Sequence, residues 1–241
     1  MKPEDLIAYI AAIAAHPAFT ARFQADLVKP GLRIPLTADG RLFAKAAELG
    51  RTITWLHTFG ERFADAKHGR PARAPRLPKE SSPRIPAAGA ISQEPAQMPD
   101  SIDYDPTTRR LLVGRGYVEG VPPEVWNYEV SGKQVLRQWF SYRKAHRERP
   151  IIGDRRLPSK LGDIQADHWL AEYTTELINV LNVLGLLVAL EPSQAALLEH
   201  ICSGPLISTD ELHAAEAFTV PAKTKRRKKN GPSPGQRSFL D

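Results

Sequence analysis

From about Ile164 to Leu190 the chain carries one long helical pattern, with Trp169, Leu170, Tyr173, Leu177, Val180, Leu181, Val183, Leu184 and Leu187 at helix spacing. An apolar surface of that length must be covered by this chain's own helices or by a neighbouring domain, since helices in proteins owe most of their stability to packing. Its most apolar run, Val180 to Leu190, is about half the roughly 20 residues needed to cross a bilayer and is interrupted by Asn182, so it reads as a core helix and no membrane span is expected. Glu191-Pro192 is expected to stop it, because proline removes a helical hydrogen bond and clashes with the turn before it; Ser193 to Ile201 then forms a further helix.

The N-terminal part offers a surface to pack on. Residues 3 to 15 place Leu6, Ile7, Tyr9, Ile10, Ile13 and Ala14 at helical spacing, and Pro17 ends that helix. A short helix over about Ala18 to Val28 is closed by Pro30-Gly31, Arg33 to Thr37 is extended, and Thr37 or Asp39 caps a third helix to about Thr58. This makes a helical unit over residues 1–66, with His57 read as a structural or capping residue at its end. Residues 67–100 change character, with seven prolines, spaced Lys/Arg and almost no large apolar side chains, and are expected to be a basic linker or poorly ordered loop. Asp65-Ala-Lys67 has the D-x-K spacing of some nucleases but no upstream Pro-Asp partner, and reads as chance.

Residues 101–160 form a third unit. Ile102 to Asp105, Leu111 to Gly114 and Gly116 to Val121 carry strand residues between turn signals. Val121-Pro-Pro-Glu-Val-Trp126 reads as a turn into an extended segment. From Gly132 the spacing turns helical, with Val135, Leu136, Trp139 and Phe140 on one side and Lys133, Arg137 and Lys144 within roughly 40° of one another beside it. Spacing alone favours ordinary core for Trp126, Trp139, Phe140 and Tyr142 and a solvated face for the cations.

Charge distribution singles this stretch out. Net formal charge is +1 over residues 1–66, +2 over 67–104, +6 over 105–160, −9 over 161–222, where Lys and Arg are absent, and +6 over 223–241. A polyanion is attracted to the basic middle and repelled by the acidic segment 161–222. The run Lys223 to Lys229 belongs to a tail, 206–241, read as disordered and basic, suited to nonspecific polyanion contact or to solubility alone.

Cys202 is the single cysteine, which excludes an internal disulfide framework and fits a reducing cytoplasm. Acidic Glu4 and Asp5 precede the N-terminal apolar run where a signal peptide carries positive charge. Phosphate-binding, dinucleotide, nucleophile-elbow and H-E-x-x-H motifs are absent; Ser131-Gly132-Lys133 has the end of a phosphate loop, but Asn127 stands where its first glycine belongs. Asp163, Asp167, His168, Glu172 and Glu176 read as an ordinary exposed helix face, not a metal site. The residues argue against a self-contained enzyme.

Phe43 with Ala46, Leu49 and Gly50-Arg51; Leu56-His57-Thr58; the pair Ile102-Asp-Tyr-Asp and Arg110-Leu-Leu-Val-Gly; the run from Gly120 to Trp139 ending at Tyr142-Arg143; and Glu176 to Glu191 together resemble the C-terminal specificity domain of Type ISP restriction-modification enzymes, over about residues 5 to 205. In that family one polypeptide carries a nuclease, a helicase-like ATPase, an adenine-N6 methyltransferase and last a target-recognition domain. The resemblance implies the last of these. The chain starts with its own methionine and lacks the Asn-Pro-Pro-Tyr and Walker motifs, so a separate specificity subunit or a gene fragment is expected, with S-adenosylmethionine only on a partner.

The expected fold is mixed α+β and predominantly helical, with N- and C-terminal helices around or beside a small central β-containing DNA-recognition unit at 101–160 and a long-helix unit at 161–205. Duplex DNA and a methyltransferase or helicase-nuclease chain are the expected partners. Candidate DNA contacts are Lys133, Arg137, Gln138, Arg143 and Lys144, with Arg109, Arg110 and Arg115 on the strands before them and Arg155 and Arg156 in the loop Pro150 to Leu161. Two alternatives remain: a subunit or fragment of an active DNA methyltransferase, or a protein-interaction adaptor using the acidic helices.

Overall fold

Helix α1 (Pro3–Ala14) and helix α4 (Gly40–His57) cross so closely that Gly50 lies directly against the backbone of Ala8, where a Cβ would stand 1.6 Å from the carbonyl oxygen. Pro3 opens α1, where its missing N–H costs nothing, and the Asp39 carboxylate accepts from the amides of Arg41 and Leu42 to cap α4. Between them lie two short helices, α2 (Pro17–Arg22) and α3 (Gln24–Leu27). Tyr9 stacks on Phe43 and its hydroxyl donates to Pro35 O at 2.7 Å, so the extended 33–37 segment is pinned to α1. This computed structural model describes residues 2–31, 33–145 and 166–219.

The long helix is α7 (Ala171–Ser203), and it packs against α1, α2, α4 and the short α5 (Pro123–Trp126). Along Leu177 to Val188 every residue is buried or half-buried, so the apolar surface is covered within the chain itself. The expected break at Pro192 does not occur. Residues on both sides of Pro192 are anchored: Leu187, Leu197, Leu198 and Ile201 are buried, and the Gln194 amide donates to Ala12 O at 3.1 Å near the end of α1. Tertiary packing thus outweighs the lost helical hydrogen bond.

Three antiparallel strands, β1 (Ile102–Asp105), β2 (Arg110–Val113) and β3 (Gly116–Glu119), form a meander in order β1-β2-β3. Ile102, Tyr104, Leu111, Val113 and Val118 face the core; the rows Asp103–Leu112–Tyr117 and Asp105–Arg110–Glu119 form the outer face. Pro122-Pro123 does not lead into an extended segment: Pro122 adopts the extended conformation of an N-cap, and Pro123 then starts α5. A hairpin of β4 (Glu129–Val130) and β5 (Lys133–Gln134) follows, its turn at Ser131 and Gly132 with φ of 53° and 73°, the primed geometry of a two-residue loop. Helix α6 (Val135–Ser141) is therefore shorter than the periodicity suggested at both ends.

Residues 67–100 are not a free linker. Arg70 is buried and bonds to Phe63 O and the Glu48 carboxylate, Trp55 Nε1 donates to Pro71 O, and Leu77 packs on Gly185 of α7 while its amide donates to Asn182 Oδ1 at 2.8 Å. Arg84 pairs with Glu119 through both backbone amides, extending the edge of β3. Few apolar side chains are needed because the prolines restrict the unfolded chain and so lower the entropy lost on ordering it. Past α7, Leu206 bridges Thr37, and Ser208 with Glu211 forms a capping box on α8 (Thr209–Ala214). The fold is mixed α+β and predominantly helical, with both sets of helices beside the small sheet.

Candidate nucleic-acid interface

Helix α6 approaches the start of β1, where the Arg137 guanidinium stands 3.6 Å from the Asp103 carboxylate, and the sequence-derived cations are spread over α6, the β4–β5 hairpin and both ends of the β1-β2-β3 meander. Leu136 and Phe140 turn inward, and Trp139 and Phe140 meet Trp169 at ring centroid distances of 6.2 Å. The opposite edge of α6 is exposed at Arg137 and Ser141 and half-buried at Gln138. After α6 the chain is tied back, the Ala145 amide donating to Pro99 O at 2.7 Å. A shallow groove of about 260 Å³ runs between, with Ile102 and Phe140 among its lining and Arg137, Lys144 and Asp100 at its rim.

The candidates separate by what already holds them. Arg143 donates from Nε and Nη2 to Glu176 and from Nη1 to Trp139 O, and lies over the Trp139 ring at 4.3 Å; it is a clamp between α6 and α7. Arg110 donates to Glu119 Oε1 at 2.8 Å and covers the Tyr117 ring at 4.3 Å, so it braces the outer face of the sheet. The Glu119 carboxyl is accordingly held below the usual range, chiefly by the hydrogen bond from Arg110. Gln138 donates its amide to the Tyr142 hydroxyl at 2.7 Å, and Tyr142 is 61% exposed.

The remaining cations are less constrained. Lys133 is exposed on β5 and Lys144 half-buried in the turn after α6, so neither lies on the helix, and the continuous basic helix edge expected from spacing does not form. Arg109, at φ 51°, and Arg115 are exposed on the β1–β2 and β2–β3 turns. Arg137 is exposed but oriented, its guanidinium 4.8 Å from the Trp126 ring centroid and 3.6 Å from the Asp103 carboxylate. Arg155 and Arg156 lie outside the described residues.

The outer face is not uniformly positive. Asp103, Asp105 and Glu119 stand among the cations, and of the twelve Lys/Arg in residues 105–160 five fall between 146 and 165, outside the described residues. Asp103 and Glu176 have no signature in the sequence as cation partners; strand alternation in Ile102-Asp-Tyr-Asp105 was the available signal for Asp103 facing outward. Trp126 and Trp139, which read as core, also present a ring face to an arginine. Among the described residues no group of three or more His, Cys, Asp or Glu is placed to hold a metal ion.

The sequence matches the family model of the Type ISP C-terminal specificity domain over residues 1–179. No curated protein matches it. Among solved structures, a nuclease-deletion mutant of the Type ISP restriction-modification enzyme LlaGI in complex with a DNA substrate mimic is similar at a TM-score of 0.48 and 15% identity, over 83% of this chain and 14% of that one. A DrdV-DNA complex is similar at a TM-score of 0.47 and 17% identity, over 87% of this chain and 18% of that one. The chain therefore spans less than a fifth of either of those chains. By the family match, which covers most of its length, this chain belongs to the Type ISP C-terminal specificity domains.

Proposed function

We propose that the chain recognises a DNA target sequence for a restriction-modification assembly, holding duplex DNA in register while a partner chain performs the chemistry. Membership of a specificity-domain family supports this reading. The structural observation that carries it is the exposure of Arg137 on α6, Lys133 on β5 and Arg109 and Arg115 at the turns of the β1-β2-β3 meander, with Lys144 half-buried just past α6 and with α7 and α8 free of Lys and Arg. Such an arrangement gives a polyanion one preferred orientation.

In this reading the lysines and the turn arginines neutralise phosphates and supply most of the affinity, and a smaller set of side chains reads base edges. Catalysis belongs to a partner, an adenine-N6 methyltransferase or a helicase-nuclease chain, and S-adenosylmethionine belongs there too. The acidic exposed side chains of α7, on which an adaptor role would draw, set orientation by repulsion in the DNA reading.

A random-sequence duplex pool offered to the full chain, with the retained fraction sequenced, tests the proposal. Enrichment of one motif is expected, with affinity falling as salt rises by about 0.9 log unit per log unit of salt for each phosphate contacted. Absence of salt-dependent duplex binding overturns it.

A further inference from the structure

Trp126 is a fixed platform. It is buried to 8% exposure, stacks on Tyr104 at 5.7 Å, and Tyr104 is itself held by a hydrogen bond from its hydroxyl to Val121 O at 2.8 Å. Arg137 lies over this indole from α6, its guanidinium carbon 4.8 Å from the ring centroid, a contact that restricts where the side chain can go. Asp103, on the outer row of β1, sits 3.6 Å from Nη2, close enough for attraction but longer than a hydrogen bond. The donors of the guanidinium thus remain available while its orientation is already restricted.

Among the described candidate arginines Arg137 alone combines these properties. Arg143 spends its donors on Glu176 and Trp139 O, and Arg110 is hydrogen-bonded to Glu119. Arg109 and Arg115 extend from turns with no side-chain hydrogen bond among the described residues, so ordering them on a ligand carries the full rotamer entropy. A carboxylate beside an arginine that approaches DNA opposes phosphate binding, so Asp103 lowers general affinity; it helps only by aiming the guanidinium.

Building on the DNA-recognition reading above, we propose that Arg137 is a guanine-reading residue of this domain, presenting its fork to O6 and N7 in the major groove, and that Asp103 is its positioning residue. Lys133 and Lys144, flexible point charges, contact phosphates. The interface therefore divides its labour: one oriented arginine discriminates, and the lysines bind.

The test compares the full-length wild-type chain with Arg137→Ala, Arg137→Lys, Asp103→Asn and Lys144→Ala, each against the duplex motif selected by the wild type and against an unrelated duplex at matched salt. Arg137→Ala is expected to lower affinity for the selected duplex about 10- to 100-fold and to remove the preference for guanine at one position, with a change of about threefold or less on the unrelated duplex. Arg137→Lys keeps the charge and loses the same preference. Asp103→Asn blurs that position while holding or raising affinity for the unrelated duplex, a pattern that simple loss of structure does not produce. Lys144→Ala weakens both duplexes alike and lowers the salt slope by about one. Equal weakening of both duplexes by Arg137→Ala, or retention of the guanine preference by Arg137→Lys, overturns the assignment and leaves the DNA-recognition reading standing. If the wild type binds no duplex, both fall.

Discussion

Arg143 Nη2 donates to Glu176 Oε2 at 2.8 Å, and Nε donates to the same oxygen at 3.1 Å, tying the turn after α6 to α7 across 33 residues of sequence. The arginine side chain is 23% exposed and lies between the Trp139 and Tyr173 rings. Its role is to set α6, and with it Arg137, against the helical body.

Removing that clamp is expected to act on stability before it acts on any ligand. Arg143→Ala should lower unfolding free energy by about 1–2 kcal/mol, because it removes aromatic packing as well as the charge-assisted bonds. Glu176→Gln should cost less, about 1 kcal/mol or below, since the carboxylate is half exposed. A double-mutant cycle by denaturant unfolding, with a coupling term well above zero, checks the pair.

Gly50→Ala tests the close approach of α1 and α4. With Ala8 O 1.6 Å from the new Cβ position, α1 and α4 must separate along their length. The expected cost is about 3 kcal/mol or more, visible as a large drop in thermal midpoint, whereas Gly40→Ala, with open space at its Cβ, should change stability by about 1 kcal/mol or less.

Asn182 is fully buried, accepts from the Leu77 amide and donates from Nδ2 to Ile178 O at 2.8 Å. Asn182→Leu should leave the Leu77 amide without its partner, at a cost of about 1–3 kcal/mol. The consequence expected in hydrogen exchange is local: faster exchange around Leu77 and new protease cleavage within residues 67–100, ahead of global unfolding.

His16 occupies the N-cap position of α2 without a side-chain cap bond, is only 6% exposed, and its Nε2 has no hydrogen-bond partner among the described residues. Burial pushes its pKa below the ordinary 6.5, against a hydrogen bond with the Ile13 backbone that acts the other way. The folded state therefore prefers neutral imidazole. Its contribution is present above the unfolded value and is lost as pH falls through 6.5 toward the lower folded value. Thermal midpoints of wild type should fall across that window, and His16→Asn, which retains a good N-cap type, should flatten the fall.

At more acidic pH a second loss follows from Asp5 and Glu48. A hydrogen bond from the Lys2 backbone, then Arg51, holds the Asp5 carboxyl below its ordinary value; for Glu48, burial acts to raise it, and hydrogen bonds from Arg70 and Arg51 outweigh that. Stability from both is present above their unfolded pKa values and disappears as pH falls through the folded ones.

How much of this was legible beforehand depended on the range of the interaction. The helix over Gly40–His57 and its Asp39 cap, the break before Pro17 and the meander at 102–119 follow from apolar spacing, capping residues and turn glycines, all of which act within a few residues. The same local rules misjudged Pro192, where buried neighbours on both sides carry α7 through, and Pro122-Pro123, which begins a helical turn instead of a strand.

The sequence by itself determined that the chain is a mostly helical α+β protein, that its positive charge gathers around residues 105–160, and that it resembles a specificity domain, because periodicity, charge and motif are properties of the chain in order. Only the tertiary structure decided which arginines are spent. Glu176 takes Arg143, Glu119 takes Arg110, and Trp126 with Asp103 leaves Arg137 oriented but open. Each decision is made by a partner remote in sequence or across strands, since hydrogen bonds and ring contacts depend on positions a few ångströms apart in space that one-dimensional spacing does not encode.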